Sequence, residues 1–95
     1  MAQNLNIALP KETWTQLSNA DITALTVQNI GTDDVRIMGT VGAVAPTDVN
    51  DGILLPAGQG IKSTDTLAAL FPGVAATRVY GYSVGGPGGV FVSHA

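Results

Sequence analysis

The chain has no cysteine, and it has only four basic and seven acidic residues among 95. Without cysteine no disulfide can form, so a small domain must gain its stability from an apolar core or from association with other chains. Charged residues make up 12 % of the sequence, about half of what is usual in a soluble domain. The seventeen residues after Arg78 include none. So thinly charged a surface indicates that other chains cover much of it.

The few basic residues also bear on the class of partner. Lys11, Arg36, Lys62 and Arg78 are scattered, and the net charge is −3, so no basic cluster is present to neutralise phosphates. No stretch approaches the roughly 20 apolar residues of a membrane helix, and the first nine residues lack the pattern of a secretory signal. We therefore expect a soluble, unprocessed protein with no nucleic-acid partner and no membrane partner.

Short alternating segments separated by turn residues predict an all-β fold. Leu5, Ile7 and Leu9 alternate with smaller or polar residues and end at Pro10, which places three aliphatic side chains on one face of a strand. Similar segments recur along the chain. The sequence predicts one domain over residues 1–95, a compact antiparallel β-sandwich or barrel of about seven to eight short strands.

Two glycine-bearing turns predict hairpins. Gly31–Asp34 separates the alternating segments 22–30 and 35–43, and Gly85–Gly89 separates 77–84 from 90–93, so we expect each pair of strands to be neighbours. The uncharged edge strand of the second hairpin would need cover from another subunit. One short helical turn is expected near residues 65–70, since Ser63 or Thr64 can cap its start. Pro72 ends it, because proline disfavours helix in the residue before it.

The chemistry-bearing residues predict no catalytic, cofactor or metal site. The glycine-rich loop Gly85–Gly89 lacks the Lys-Ser or Lys-Thr pair of a phosphate-binding loop, and Asp48–Gly52 has the wrong spacing for calcium. The lone histidine, His94, follows Ser93 directly. Because neighbours on a strand point to opposite faces, this serine and histidine are not expected to act together as nucleophile and base. We expect a protein that is not an enzyme and holds no cofactor.

The five aromatic residues divide into core candidates and surface candidates. Trp14 and Phe71 are predicted to fill the core. Tyr80 and Tyr82 share one strand face, where they could anchor an interface, stack against a sugar, or edge the core.

Several passages taken together resemble a known class of proteins. They are Leu9-Pro10, Thr13-Trp14-Thr15, Val41 to Pro46, Gly52 to Gln59, and the Tyr80/Tyr82 strand. Their order is similar to that in small β-rich virion proteins of tailed bacteriophages, of the type that decorates or cements the capsid.

The resemblance implies a homotrimer or other small oligomer seated on a major capsid protein at the virion surface, assembled in the host cytoplasm. It also implies that an N-terminal segment engages the shell or a neighbouring subunit. Here that segment is residues 1–11, an extended arm whose Leu5, Ile7 and Leu9 could add a strand to another chain's sheet. The alternative is an ordinary first strand in the chain's own sheet. The candidate interface residues are Leu5, Ile7, Leu9, Tyr80 and Tyr82.

Three other functions stay open from the sequence. A β-domain of a phage tail, baseplate or fibre would share this composition. A carbohydrate-binding module would use Trp14, Tyr80 or Tyr82 for stacking. An enzyme is the weakest reading, because each motif lacks a partner group at usable spacing.

Overall fold

Two antiparallel sheets of four strands each form the described part of the chain. A computed structural model describes residues 3–18, 21–42, 46, 52–61, 67–71 and 76–94. The strands are β1 (Gln3–Leu9), β2 (Thr15–Gln16), β3 (Thr26–Asn29), β4 (Val35–Thr40), β5 (Ile53–Leu55), β6 (Gly60–Ile61), β7 (Arg78–Ser83) and β8 (Gly88–His94), with one helical turn, α1 (Leu67–Leu70). The predicted all-β class is confirmed.

Each sheet mixes strands from distant parts of the sequence. The first sheet has the order β1-β8-β3-β6, and the second has the order β2-β7-β4-β5. Side chains from both sheets contribute to one buried apolar cluster, so the two sheets pack face to face as a sandwich. The sequence had left sandwich and barrel open.

Alternation along the strands decides which side chains enter the core. Val27, Val90 and Val92 of the first sheet are completely buried, as are Val35, Ile37 and Val79 of the second. Full burial of one such side chain stabilises the fold by about 1.5–3 kcal/mol. Sequence periodicity predicted the inward faces of β3 and β4 correctly.

The predicted hairpin between β3 and β4 is wrong. β3 pairs with β8 and β6, whereas β4 pairs with β7 and β5. The turn Gly31–Asp34 instead carries the chain from the first sheet to the second. It is held in this path because the Asn29 side chain donates to Asp33 O over 2.8 Å and accepts from Gly31 N over 3.0 Å.

The predicted hairpin between residues 77–84 and 90–93 is also wrong, since β7 and β8 lie in different sheets. Gly85, at a φ of 87°, helps this second crossover to turn. Ser83 Oγ donates to Gly86 O within it. The two crossovers are joined by a hydrogen bond of 2.9 Å from Val84 N to Asp34 O.

The position of β8 also differs from the prediction. It lies between β1 and β3 in the first sheet and is not an edge strand.

The N-terminal residues belong to the chain's own sheet. β1 pairs with β8 over seven consecutive positions, from Gln3 opposite His94 to Leu9 opposite Gly88. Of the two alternatives for residues 1–11, Gln3–Leu9 forms the ordinary first strand, and residues 1–2 lie outside the described residues. The structure also confirms a helical turn at Leu67–Leu70, whereas residues 65–66 and the Asp48–Asp51 segment lie outside the described residues.

Candidate interaction surface

The outward side of the first sheet carries no charged side chain on β1, β8 or β3. Along each strand the outward side chains alternate with the buried ones. Outward residues of neighbouring strands lie opposite each other, so they form rows across the three strands. We name this surface the uncharged face and define it as Asn6, Ala8, Thr26, Gln28, Ile30, Gly89, Phe91 and Ser93. Ile30 follows β3 directly, and its amide donates to Gly89 O over 3.1 Å.

An apolar strip crosses one end of the uncharged face. Ile30 is 50 % exposed, Ala8 is exposed, and Phe91 is partly exposed. A Cβ placed on Gly89 would lie 3.7 Å from Ile30 Cγ1, so the isoleucine side chain lies over the glycine. Because Gly89 and Ala8 face each other across β8 and β1, this end of the face is flat as well as apolar.

Neutral polar side chains occupy the rest of the uncharged face. Asn6 and Gln28 flank Phe91 in register, and Gln28 Nε2 donates to Gly58 O over 3.3 Å in an exposed position. Amides and hydroxyls can form hydrogen bonds with a partner without the desolvation cost of a full charge. The arrangement suits a broad protein contact.

The outward side of the second sheet is built differently. We name it the covered face and define it as Trp14, Gln16, Arg36, Met38, Thr40, Leu54, Arg78, Tyr80 and Tyr82. Tyr80 and Tyr82 are only 6 % and 7 % exposed. The Trp14 ring lies with its centroid 5.1 Å from that of Tyr82, and Tyr80 Oη donates to Gln16 Oε1 over 3.2 Å. Short strand β2 and the residues before it therefore cover this side of the sheet.

Charge is present on the covered face. Arg36 is the second residue of β4, and Arg78 Nε donates to Asp21 Oδ1 over 2.7 Å. The arginine side chain is 21 % exposed and the aspartate 69 %, so water screens the ion pair strongly. The covered face therefore differs from the uncharged face in carrying charged side chains.

The five predicted interface residues are spread over both sheets. Leu5 is 47 % exposed and Leu9 is 1 % exposed, with Ile7 intermediate between them. All three point inward from β1, and their exposure falls along the strand from Leu5 to Leu9. Tyr80 and Tyr82 are buried within the chain, which leaves little ring area for a partner or a sugar. Their role in an interface stays a prediction.

Sequence reasoning missed the uncharged face, although a signal for it exists. β1, β3 and β8 each lie within a stretch that has no charged residue, namely 1–10, 22–32 and 79–95. Other uncharged stretches, such as 66–77, occur in the chain. The signal becomes specific only when the three strands are known to be neighbours.

The chemistry-bearing residues do not converge in the part of the chain that the structure describes. His94 is 6 % exposed on the inward side of β8, and Ser93 is on the outward side. Within the described ranges, no group of three or more His, Asp or Glu side chains is placed to hold a metal ion. The described residues also include no helix long and apolar enough to cross a membrane.

Comparison with protein-family models, with curated proteins and with solved structures finds no match for this chain. The arrangement of its own residues is therefore the basis for any functional proposal.

Proposed function

We propose that this chain is a structural virion protein that binds the outside of a phage capsid as an oligomer and stabilises or decorates the shell. The virion setting and the number of three subunits rest on the resemblance described above. The proposal that the protein works by contact with other chains rests on the uncharged face, which is the observation that carries it.

The uncharged face favours a large protein partner over a small ligand. It is flat at its apolar end, where Ala8, Gly89 and Ile30 meet, and a flat surface cannot enclose a small molecule as a cleft does. Its polar residues carry no net charge to attract nucleic acid or a charged substrate. A second protein surface of similar character can satisfy both the apolar strip and the amides.

A contact of this kind can stabilise a shell by linking its subunits. Separating them would then expose apolar surface again, at a cost of roughly 25 cal/mol per Å². Because the bridging protein binds only the assembled lattice, its binding free energy adds to the stability of the shell. No bond needs to be made or broken.

The decisive experiment compares the thermal bursting of purified capsids with and without the protein. We expect capsids that carry it to burst at a higher temperature. Equal bursting temperatures would remove the stabilising role, and absence of the protein from purified particles would remove the proposal altogether.

A matched pair of variants connects the experiment to the uncharged face. Ile30 and Leu54 are both exposed aliphatic residues, 50 % and 43 % respectively, but Ile30 is on the uncharged face and Leu54 is on the covered face. We expect Ile30→Glu to abolish capsid binding, because it buries a charge in the contact. Leu54→Glu, which faces Arg36 across β5 and β4, should bind normally. Equal binding by both variants would contradict the proposed contact surface.

The alternatives have separate tests. Antibody labelling of intact particles distinguishes the capsid from a tail, baseplate or fibre location. A glycan array tests carbohydrate binding, for which the burial of Tyr80 and Tyr82 gives little support. Light scattering on the purified chain tests the expected homotrimer.

A further inference from the structure

We propose that the outer edge of β1, which no described strand pairs with, pairs antiparallel with β1 of a second copy of this chain, centred on Asn6. The inference goes beyond the proposed function, because it concerns the purified chain in the absence of any capsid. It rests on the position of β1 in its sheet, on the order of its residues and on their lack of charge.

Among the described residues, β1 is a long edge strand without the usual protection. It is the outer strand of the first sheet and runs for seven residues, whereas the other three edge strands among the described residues, β2, β5 and β6, have two or three. Proteins normally protect an edge with charge, proline, a bulge or shortness. Gln3–Leu9 contains no charged residue and no proline, and its register with β8 is unbroken.

The order of residues in β1 suits pairing with itself. When two identical strands pair antiparallel about Asn6, Leu5 of each copy faces Ile7 of the other, and the overlap covers Gln3–Leu9. Leu5 is 47 % exposed in the single chain, and the pairing would place an aliphatic neighbour beside it. Centring the pair on Leu5 or Ile7 would shorten the overlap to residues 3–7 or 5–9.

Lack of charge permits this contact. A two-fold axis brings residues near the centre of the strand opposite their own copies, so a charged residue there would meet a like charge. In β1 the central residue is Asn6, which is exposed and can hydrogen-bond with its own copy. A partner of different sequence would not need this neutrality, which is why the second copy is the occupant we infer.

The pairing would also enlarge the uncharged face. Asn6 and Ala8 lie at its edge, so two first sheets joined at β1 would form one sheet of eight strands with an uncharged outer side. Contact along one strand edge is at the small end of stable interfaces. We therefore expect a dimer that dissociates on dilution. A trimer contact would have to use another surface.

Cysteine crosslinking tests the register directly, since the native chain has no cysteine. Facing residues of an antiparallel pair have Cα atoms about 4.5–5.5 Å apart, which is within the range of a disulfide. Asn6→Cys should therefore form a crosslinked dimer rapidly when diamide is added. Ala8→Cys is the matched control on the same strand and face, because its two copies would be about 14 Å apart. Equal crosslinking by the two variants would overturn the proposed register.

Charge exchange tests the contact without a covalent bond. Asn6→Lys and Asn6→Asp should each lower the dimer fraction several-fold by light scattering, and an equal mixture of the two should restore it. Because Asn6 is exposed, both variants should keep the fold, which circular dichroism checks. Gln28→Lys, in the same row but two strands from the edge, should not affect the dimer. A native chain that stays at 9.7 kDa at every concentration would overturn the inference.

Discussion

The outer faces of the two sheets differ in how completely the chain covers them. On the covered face, Trp14 and Gln16 pack onto Tyr82 and Tyr80, which are left 7 % and 6 % exposed. On the uncharged face no segment of the described chain overlies β8, and Phe91 stays partly exposed. Within the described ranges, residues of the chain thus cover the outer side of the second sheet and leave that of the first sheet uncovered.

This difference teaches that the few charged residues of a small protein need not be spread evenly over its surface. On the covered face the large aromatic residues pack against other residues of the chain, and two partly exposed arginines lie beside them. The uncharged face uses small, neutral and flat residues that suit a contact with another chain. The amino-acid composition gives only the average charge content of the two faces and does not show that they differ.

The largest effect should come from breaking the connection that holds the two sheets together. Asn29 is completely buried, and its Nδ2 donates to Leu55 O of the second sheet over 2.9 Å as well as to Asp33 O. Asn29→Leu would remove the side-chain partner of one buried backbone group, Leu55 O, and of two partly buried ones, Asp33 O and Gly31 N, at about 1–3 kcal/mol for each. We expect the free energy of unfolding in urea to fall by about 3–5 kcal/mol.

The neighbouring Gln28 provides the control for that prediction. Gln28→Leu makes the same change from amide to aliphatic side chain, but it removes only one exposed hydrogen bond. Its effect on unfolding should stay within about 0.5 kcal/mol. Similar losses for the two variants would show that Asn29 does not connect the sheets.

A pair of truncations compares the two faces directly. Tyr82→Ala removes a buried ring that packs on Trp14, and we expect it to cost about 3 kcal/mol in the free energy of unfolding. Phe91→Ala removes a partly exposed ring from the uncharged face, so about 1 kcal/mol is expected. Urea denaturation of the isolated chain at low concentration measures both. A larger loss for Phe91→Ala than for Tyr82→Ala would contradict the inference that the chain covers the second sheet more completely than the first.

The smallest effect is expected at the charged end of the covered face. Asp21→Asn removes the ion pair with Arg78, and because the aspartate is exposed the loss should be below about 1 kcal/mol. Any loss should shrink further in 1 M salt, where screening is strong. A loss that is large and independent of salt would mean that this pair does more than an ordinary surface contact.

Much of the fold could be predicted from the local pattern of residues, and the pairing of strands could not. Alternation identified β1, β4 and β7 and the inward faces of β3 and β4, because burial on one side imposes a period of two. The turn residues at Gly31–Asp34 and Gly85–Gly89 indicated chain reversal equally well for a hairpin and for a crossover between sheets. Only tertiary contacts, such as the bond from Val84 N to Asp34 O, decide between the two.

The candidate surface was harder to predict for the same reason. The uncharged face is assembled from residues near both ends of the chain and from β3, so no single window of sequence contains it. Asn29 could have been noticed, since it continues the inward series Leu25 and Val27 with a polar side chain. A buried amide at such a position usually indicates a hydrogen-bonded connection.

The place of β8 in the first sheet has a consequence for synthesis. This strand comes last in the described sequence but lies in the middle of its sheet, where Gln3 pairs with His94. Contacts between such distant residues form slowly, and here they must wait until β8 has been synthesised. The N-terminal strand consequently has no partner in the first sheet while the roughly eighty residues between β1 and β8 are being made.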